Sequence, residues 1–186
     1  MMSGEGPQPG GRPPAPGELG LVQAFINSHY DLVHEHGAEL LADAHAVRAW
    51  FAEQGLIEDN AIVSSADLRR VLAVREALRE LARGGADPSV LVPLHATLAV
   101  RLEESGPRLE PTEAGTVDGA LAALLAIVAR EMLSGRWSRL KVCPGHDCGW
   151  AFYDGSRNRT GRWCSMSVCG GRAKAKAHYR RRREVA

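Results

Sequence analysis

The chain has 186 residues, 45% of them hydrophobic, which is enough for one ordinary core and a small appended module. Its formal net charge of +1 hides a split: from Met1 to Leu140, 12 Lys and Arg stand against 19 Asp and Glu, a net of −7, and from Lys141 to Ala186 the counts are 11 and 3, a net of +8. A basic module of that density attracts polyanions, nucleic acid first, and no stretch approaches the ~20 apolar residues that span a bilayer, so a membrane partner is not expected.

Residues 1–17, MMSGEGPQPGGRPPAPG, hold five Gly and five Pro and no apolar run. Such a stretch cannot bury enough surface to offset chain entropy and reads as a disordered leader. It lacks the apolar h-region of a signal peptide, so the expected location is the cytoplasm, where thiols stay reduced.

Residues 18–138 read as a helical domain. Leu21, Val22, Phe25, Ile26, Leu32 and Val33 recur at helical spacing and predict a first helix from Leu19 to Val33. Asp43 as N-cap, Val47, Trp50 and Phe51 on one face and Gly55 as stop predict a second. Ser64 to Asp67 offer a capping box for a third, whose stripe is Leu68, Val71, Leu72, Leu78 and Leu81 and whose stop is Gly84-Gly85. Its Arg75, Glu76, Arg79 and Glu80 read as a solvated face.

A fourth helix is expected from Asp87 to Val100, with Pro93 tolerable only near its first turn. RLEESGPRLEPTEAG then suggests a short hairpin or loop, and a fifth helix opens near Thr116 and runs through Leu121, Leu124, Leu125 and Val128 to Gly135. No catalytic motif stands out. His34-Glu35-His36 could ligate a metal, but His-x-His on a helix points its rings apart, and solvated helix-end histidines are the better reading. A small-molecule ligand of this domain has no particular residue in its favour.

All four cysteines lie in residues 139–186, as C-x4-C-x15-C-x4-C: Cys143, Cys148, Cys164 and Cys169. Two pairs, each on a tight turn and joined by a loop, suit a tetrahedral structural Zn²⁺. Two disulfides would need an oxidising compartment, and free core cysteines would not sit among Pro144, Gly145, Gly149, Gly170 and Gly171. His146 and His178 are the substitute ligands.

Cys143 to Cys148 form a knuckle, Trp150 to Asp154 are β-prone, and Thr160 to Cys164 can return as their partner strand before a helix begins near Ser165. That order is the plan of a treble-clef finger. The expected fold is mainly α: a helical N-terminal domain with a short β-hairpin, then a treble-clef-like zinc finger.

On the final helix Arg172, Lys176, Arg180 and Arg183 share one ridge, flanked by Lys174, Arg181 and Arg182, while Arg157, Asn158, Arg159 and Arg162 make a second basic cluster in the preceding loop. Together they suit phosphates on both sides of a groove. The run Arg180 to Arg183 also reads as a frayed, solvated terminus. Trp150, Phe152, Tyr153 and Trp163 could stack on single-stranded bases, as in RNA binding, or form the minicore of the finger.

Phe152-Tyr153-Asp154, Arg162-Trp163-Cys164-Ser165-Met166 and Cys169-Gly170-Gly171-Arg172 together resemble the CGNR zinc finger. In bacterial proteins that finger follows a helical domain called ABATE, and the pair are described as stress-induced transcription regulators. The resemblance implies a zinc-dependent, cytoplasmic, nucleoid-associated DNA-binding protein whose N-terminal domain senses something. A single finger reads few base pairs, so that domain is also expected to dimerise. One departure is clear: Gly171 stands where the motif has Asn. An RNA-binding or protein-docking finger is the alternative. An enzyme is not expected, since residues 149–163 hold no histidine for a finger nuclease.

Overall fold

Three helices packed on one another form the centre of the molecule. The structure, a computed structural model, describes residues 8–30, 38–85, 87–145 and 148–184. Helix α1 (Leu19–Ile26), α3 (Ser65–Arg83) and α4 (Val117–Leu133) pack mutually, with α2 (Ala44–Glu53) against α3. Phe25, Phe51, Leu78, Leu121 and Leu124 fill the space between them and are fully buried. Among the described residues, three two-stranded antiparallel sheets accompany the helices: β1 (His29–Tyr30) with β2 (Ala38–Glu39), β3 (Leu98–Glu103) with β4 (Gly106–Pro111), and β5 (Leu140–Val142) with β6 (Ala151–Tyr153).

The caps explain where the longer helices start. Asp43 accepts the N–H of Ala46, Thr116 that of Gly119, and Ser64 and Asp67 exchange bonds in a reciprocal box, each supplying a partner to amides that the helix leaves unpaired.

Helix α1 is shorter than its periodicity predicts. Its buried stripe of Leu19, Val22, Phe25 and Ile26 ends at Asn27, and of the predicted continuation Leu32 and Val33 fall outside the described residues. The chain leaves the helix at the C-cap Asn27, whose side-chain amide faces the finger: Oδ1 accepts the N–H of Ala151 (2.8 Å) and Nδ2 donates to the Ala151 carbonyl (2.9 Å), as a neighbouring strand would. Gln23 donates to the same carbonyl (3.0 Å).

The fourth predicted helix does not form. Asp87 caps a single 3₁₀ turn, Pro88–Leu91, and the chain then extends into β3. Pro93 cannot donate to a helical ladder, and its ring disfavours helix in the residue before it, so the turn is not propagated. The β-branched and apolar residues that follow pair instead with β4, in a register from Leu98 opposite Pro111 to Glu103 opposite Gly106. The hairpin suggested by RLEESGPRLE thus begins earlier than the sequence indicates.

Two further expectations are corrected. Arg75 and Arg79 are not on a solvated face but are 3% and 5% exposed. Arg75 grips Glu39 with two nitrogens (2.6 and 2.7 Å), while Arg79 donates to the carbonyls of Ile26, His29 and Gly149, tying α1, β1 and the chain beyond β5 to α3. A buried guanidinium needs this many acceptors to offset its lost hydration. Of the expected leader, residues 1–7 fall outside the described residues, and from Gln8 onward the chain is packed: it carries a 3₁₀ turn at Pro9–Gly11 and buries Ala15.

The apolar core does not stop at residue 138. Leu140, Val142 and Ala151 belong to the same buried cluster as α1, α3 and α4. We expect Asn27→Ala to leave the Ala151 N–H without its partner, the carbonyl keeping Gln23, and to lower unfolding free energy by about 1–3 kcal/mol. Urea titration of the full chain checks this.

Candidate metal centre

The four cysteines meet at one point. Cys143 follows β5 directly, and its N–H donates to the Trp150 carbonyl (2.9 Å), which closes the chain between β5 and β6 into a knuckle. Cys148 donates its N–H to Gly145 (3.1 Å) inside the knuckle. Gly145 leaves little room for a side chain: a β-carbon there would sit a tight 3.1 Å from the Cys169 sulfur.

Cys164 and Cys169 come from the other half. Ser165 caps a π-helical turn, Met166–Gly170, accepting the N–H of Val168 on its hydroxyl and that of Gly170 on its carbonyl. The wide turn places Cys169 beneath Cys164 and runs straight into α5 (Gly171–Glu184).

Sulfur separations of 3.6 Å join Cys148 to Cys164 and Cys164 to Cys169, and all four sulfurs lie within 4.8 Å of one another. A tetrahedral zinc with Zn–S bonds of ~2.3 Å needs sulfurs ~3.8 Å apart, so the set fits the ion. All four are buried and none is in a disulfide. Trp150 and Phe152 are buried with them, flanked by Tyr30 and Trp163.

So close together, the thiols compete for charge. Hydrogen bonds from Cys148 and Cys164 hold the Cys143 thiol far below its usual range. The bond to Cys143 pushes Cys148 and Cys164 up, and burial does the same to Cys169. A divalent cation would let all four ionise.

Asp154, just beyond β6, organises the loop between the two cysteine pairs. Fully buried, its carboxylate accepts from Lys141 Nζ (2.7 Å), from the N–H and hydroxyl of Ser156, and from the N–H of Gly161 (2.7 Å). Burial alone would raise its pKa, but Lys141 and these donors hold it well below the usual carboxylate range. Lys141 also donates to the carbonyls of Arg159 and Gly161, and Arg139 to those of Asp154 and Ser156. The loop therefore curls round Asp154, and residues 160–164 do not return as a partner for β6. One edge of β6 holds β5, and on the other Asn27 and Gln23 engage Ala151.

The predicted nucleic-acid residues all face solvent. Arg157, Asn158 and Arg159 are exposed on the loop, Arg159 with φ 52°, and Arg162 lies over the Trp163 ring, 5.6 Å from its centroid. Arg172, Lys174, Lys176, Arg180, Arg181 and Arg183 are exposed along α5. Of the histidines considered as ligands, His178 is exposed on α5, and His34, His36 and His146 fall outside the described residues. The sequence reading missed Asp154 and Lys141 as organisers, although Asp-Gly-Ser is a turn signal in which the carboxylate bonds its own backbone two residues on.

The ABATE family model, described as "Putative stress-induced transcription regulator", matches residues 19–135. The chain belongs to the ABATE family. A CGNR zinc-finger model matches residues 139–182, so the two follow in that order. No curated protein matches the chain.

In the CGNR finger, Gly171 has helical φ −62° and ψ −45°, and a β-carbon there would meet the Met166 carbonyl at an ordinary 3.5 Å. Asn would fit at that position. We expect Gly171→Asn to leave metal binding unchanged and helix content equal or slightly higher, since Gly is a poor helix former; circular dichroism checks it. Elemental analysis of the purified chain should find one zinc per chain, lost in Cys164→Ser. Uptake should release protons and weaken as pH falls, because the thiols must ionise to bind.

Proposed function

We propose that the chain is a zinc-dependent transcription regulator that binds duplex DNA through its finger and basic helix, while its helical domain senses a ligand or dimerises. The observation that carries this reading is α5. It is 14 residues and ~21 Å long, none of its described side chains is buried, and it carries seven Lys and Arg against one acid. An unpacked helix of this length is marginal in water, so an external anion has much to stabilise. Its start is fixed at Cys169, so metal binding would fix the direction in which the charge projects.

The loop supports the same reading. Arg157, Asn158, Arg159 and Arg162 project from a segment held by Asp154 and Lys141, so little order need be gained on binding. Trp150 and Phe152 are buried beside the sulfurs and offer no face for stacking, which weighs against single-stranded RNA as the preferred ligand.

The architecture is read as treble-clef-like, with knuckle, loop and a helix bearing the last ligands at its start, in units of 18–138 and 139–186. Four thiolates leave no open position for a reactive water, so no catalytic step enters this reading. Among the described residues no helix is long and apolar enough to cross a membrane. We place the protein in the bacterial cytoplasm, on the nucleoid.

The test is selection of bound sequences from a random duplex pool, run with zinc and with chelator. With six to ten phosphate contacts, log K should fall against log salt with a slope of about −5 to −9. The double variant Lys176→Gln, Arg180→Gln should make that slope shallower by about 2. Cys164→Ser should abolish binding. Tighter binding to single-stranded RNA than to duplex, or cleavage of DNA with magnesium, would overturn the proposal.

A further inference from the structure

We infer that the N-terminal strap, residues 8–15, is the outer wall of the metal centre, and that Arg12 is a positioning residue for its second cysteine pair. Both family matches begin after this segment. The inference rests on the reading that the four cysteines hold a metal.

The strap is fastened at both ends. Gln8 Oε1 accepts from the Gln23 amide (3.0 Å) and from the indole Nε1 of Trp150 (3.1 Å), and the Ala15 N–H donates to Gln23 Oε1 (2.6 Å). Between these points Arg12 crosses to the finger. Its Nε donates to the Cys164 carbonyl (2.9 Å), its Nη2 to the Trp163 carbonyl (3.1 Å), and its guanidinium lies over the Phe152 ring, 4.9 Å from the centroid.

These contacts act on the ligand Cys164 through its own backbone. The two carbonyls sit immediately before the π-helical turn that carries Cys169, so a fork gripping both fixes the peptide from which the Cys164 side chain leaves. Planar, always charged and with donors in a rigid fork, arginine suits this grip better than lysine. Four thiolates around a divalent ion carry net negative charge, and the Arg12 guanidinium is a cation bonded to a ligand's own peptide. Prolines at 9, 13 and 14 restrict the free strap, so less entropy is lost when it docks.

Metal and strap are then linked, and the coupling is reciprocal: whatever the docked strap adds to metal affinity, bound metal adds to docking of the strap. Groups that hold metal ligands in place typically change affinity by ~10–100-fold when removed.

The test uses the full-length chain loaded with zinc. Transfer of the metal to an excess of chromogenic chelator is timed for wild type, Arg12→Ala and Arg12→Lys. Arg12→Ala should release zinc about ten-fold faster, with Arg12→Lys between it and wild type and thermal melting of the helical core unchanged in all three. The visible spectrum of the cobalt-loaded form should shift in Arg12→Ala.

A second readout follows the Trp150 indole N–H by NMR. Its exchange should be slow with zinc, faster after chelation, and fast in both states in Gln8→Ala. A wild-type chain that holds one zinc, together with an Arg12→Ala variant that releases it at the wild-type rate, would sink this inference alone. A wild-type chain that takes up no zinc would sink the metal reading and this inference with it.

Discussion

Everything in this molecule depends on the way β6 is held. A finger of some 45 residues has almost no core of its own, and one short hairpin is marginal in water. Here the hairpin is built into the larger domain: Leu140, Val142 and Ala151 complete the apolar cluster of α1, α3 and α4. The side-chain amides of Asn27 and Gln23 take the place of a further strand along Ala151. Arg79 reaches from α3 to Gly149 between the knuckle and β6. The two family matches are therefore separate in sequence but continuous in packing, and the first cysteine pair stands on a foundation set by the helical domain.

Charge is used in two opposite ways. Arg75 and Arg79 are withdrawn from water and bound to a carboxylate and to backbone carbonyls, which makes them part of the architecture. Lys141 is drawn in likewise, to Asp154 and the loop carbonyls. The cations of α5, by contrast, stay exposed to solvent. Net charge alone does not separate the two groups; burial and acceptor count do.

Much of this was legible from residue patterns, and the failures have physical causes. The caps at Asp43, Ser64 and Thr116 were readable because capping is local chemistry. The cysteine cluster was readable because its spacing has few other uses. The helix expected after Asp87 fails because one proline outweighed a weak apolar period. The strand expected at residues 160–164 fails because the edge it would occupy is taken by Asn27, more than a hundred residues away, and no local signal reports that competition. The Gly and Pro of residues 1–17 point to disorder. Their composition says nothing of Gln8 and Arg12, whose partners lie in the finger.

Because none of the described side chains of α5 is buried, they are under little packing constraint from the core. A substitution along it changes no cavity, breaks no contact in the core and leaves the sulfur cluster as it was. Surface positions of this kind tolerate change at little cost in stability. The residues that build the core and the sulfur cluster and those exposed along α5 are thus different sets, and what the helix touches can change without first securing a more stable scaffold.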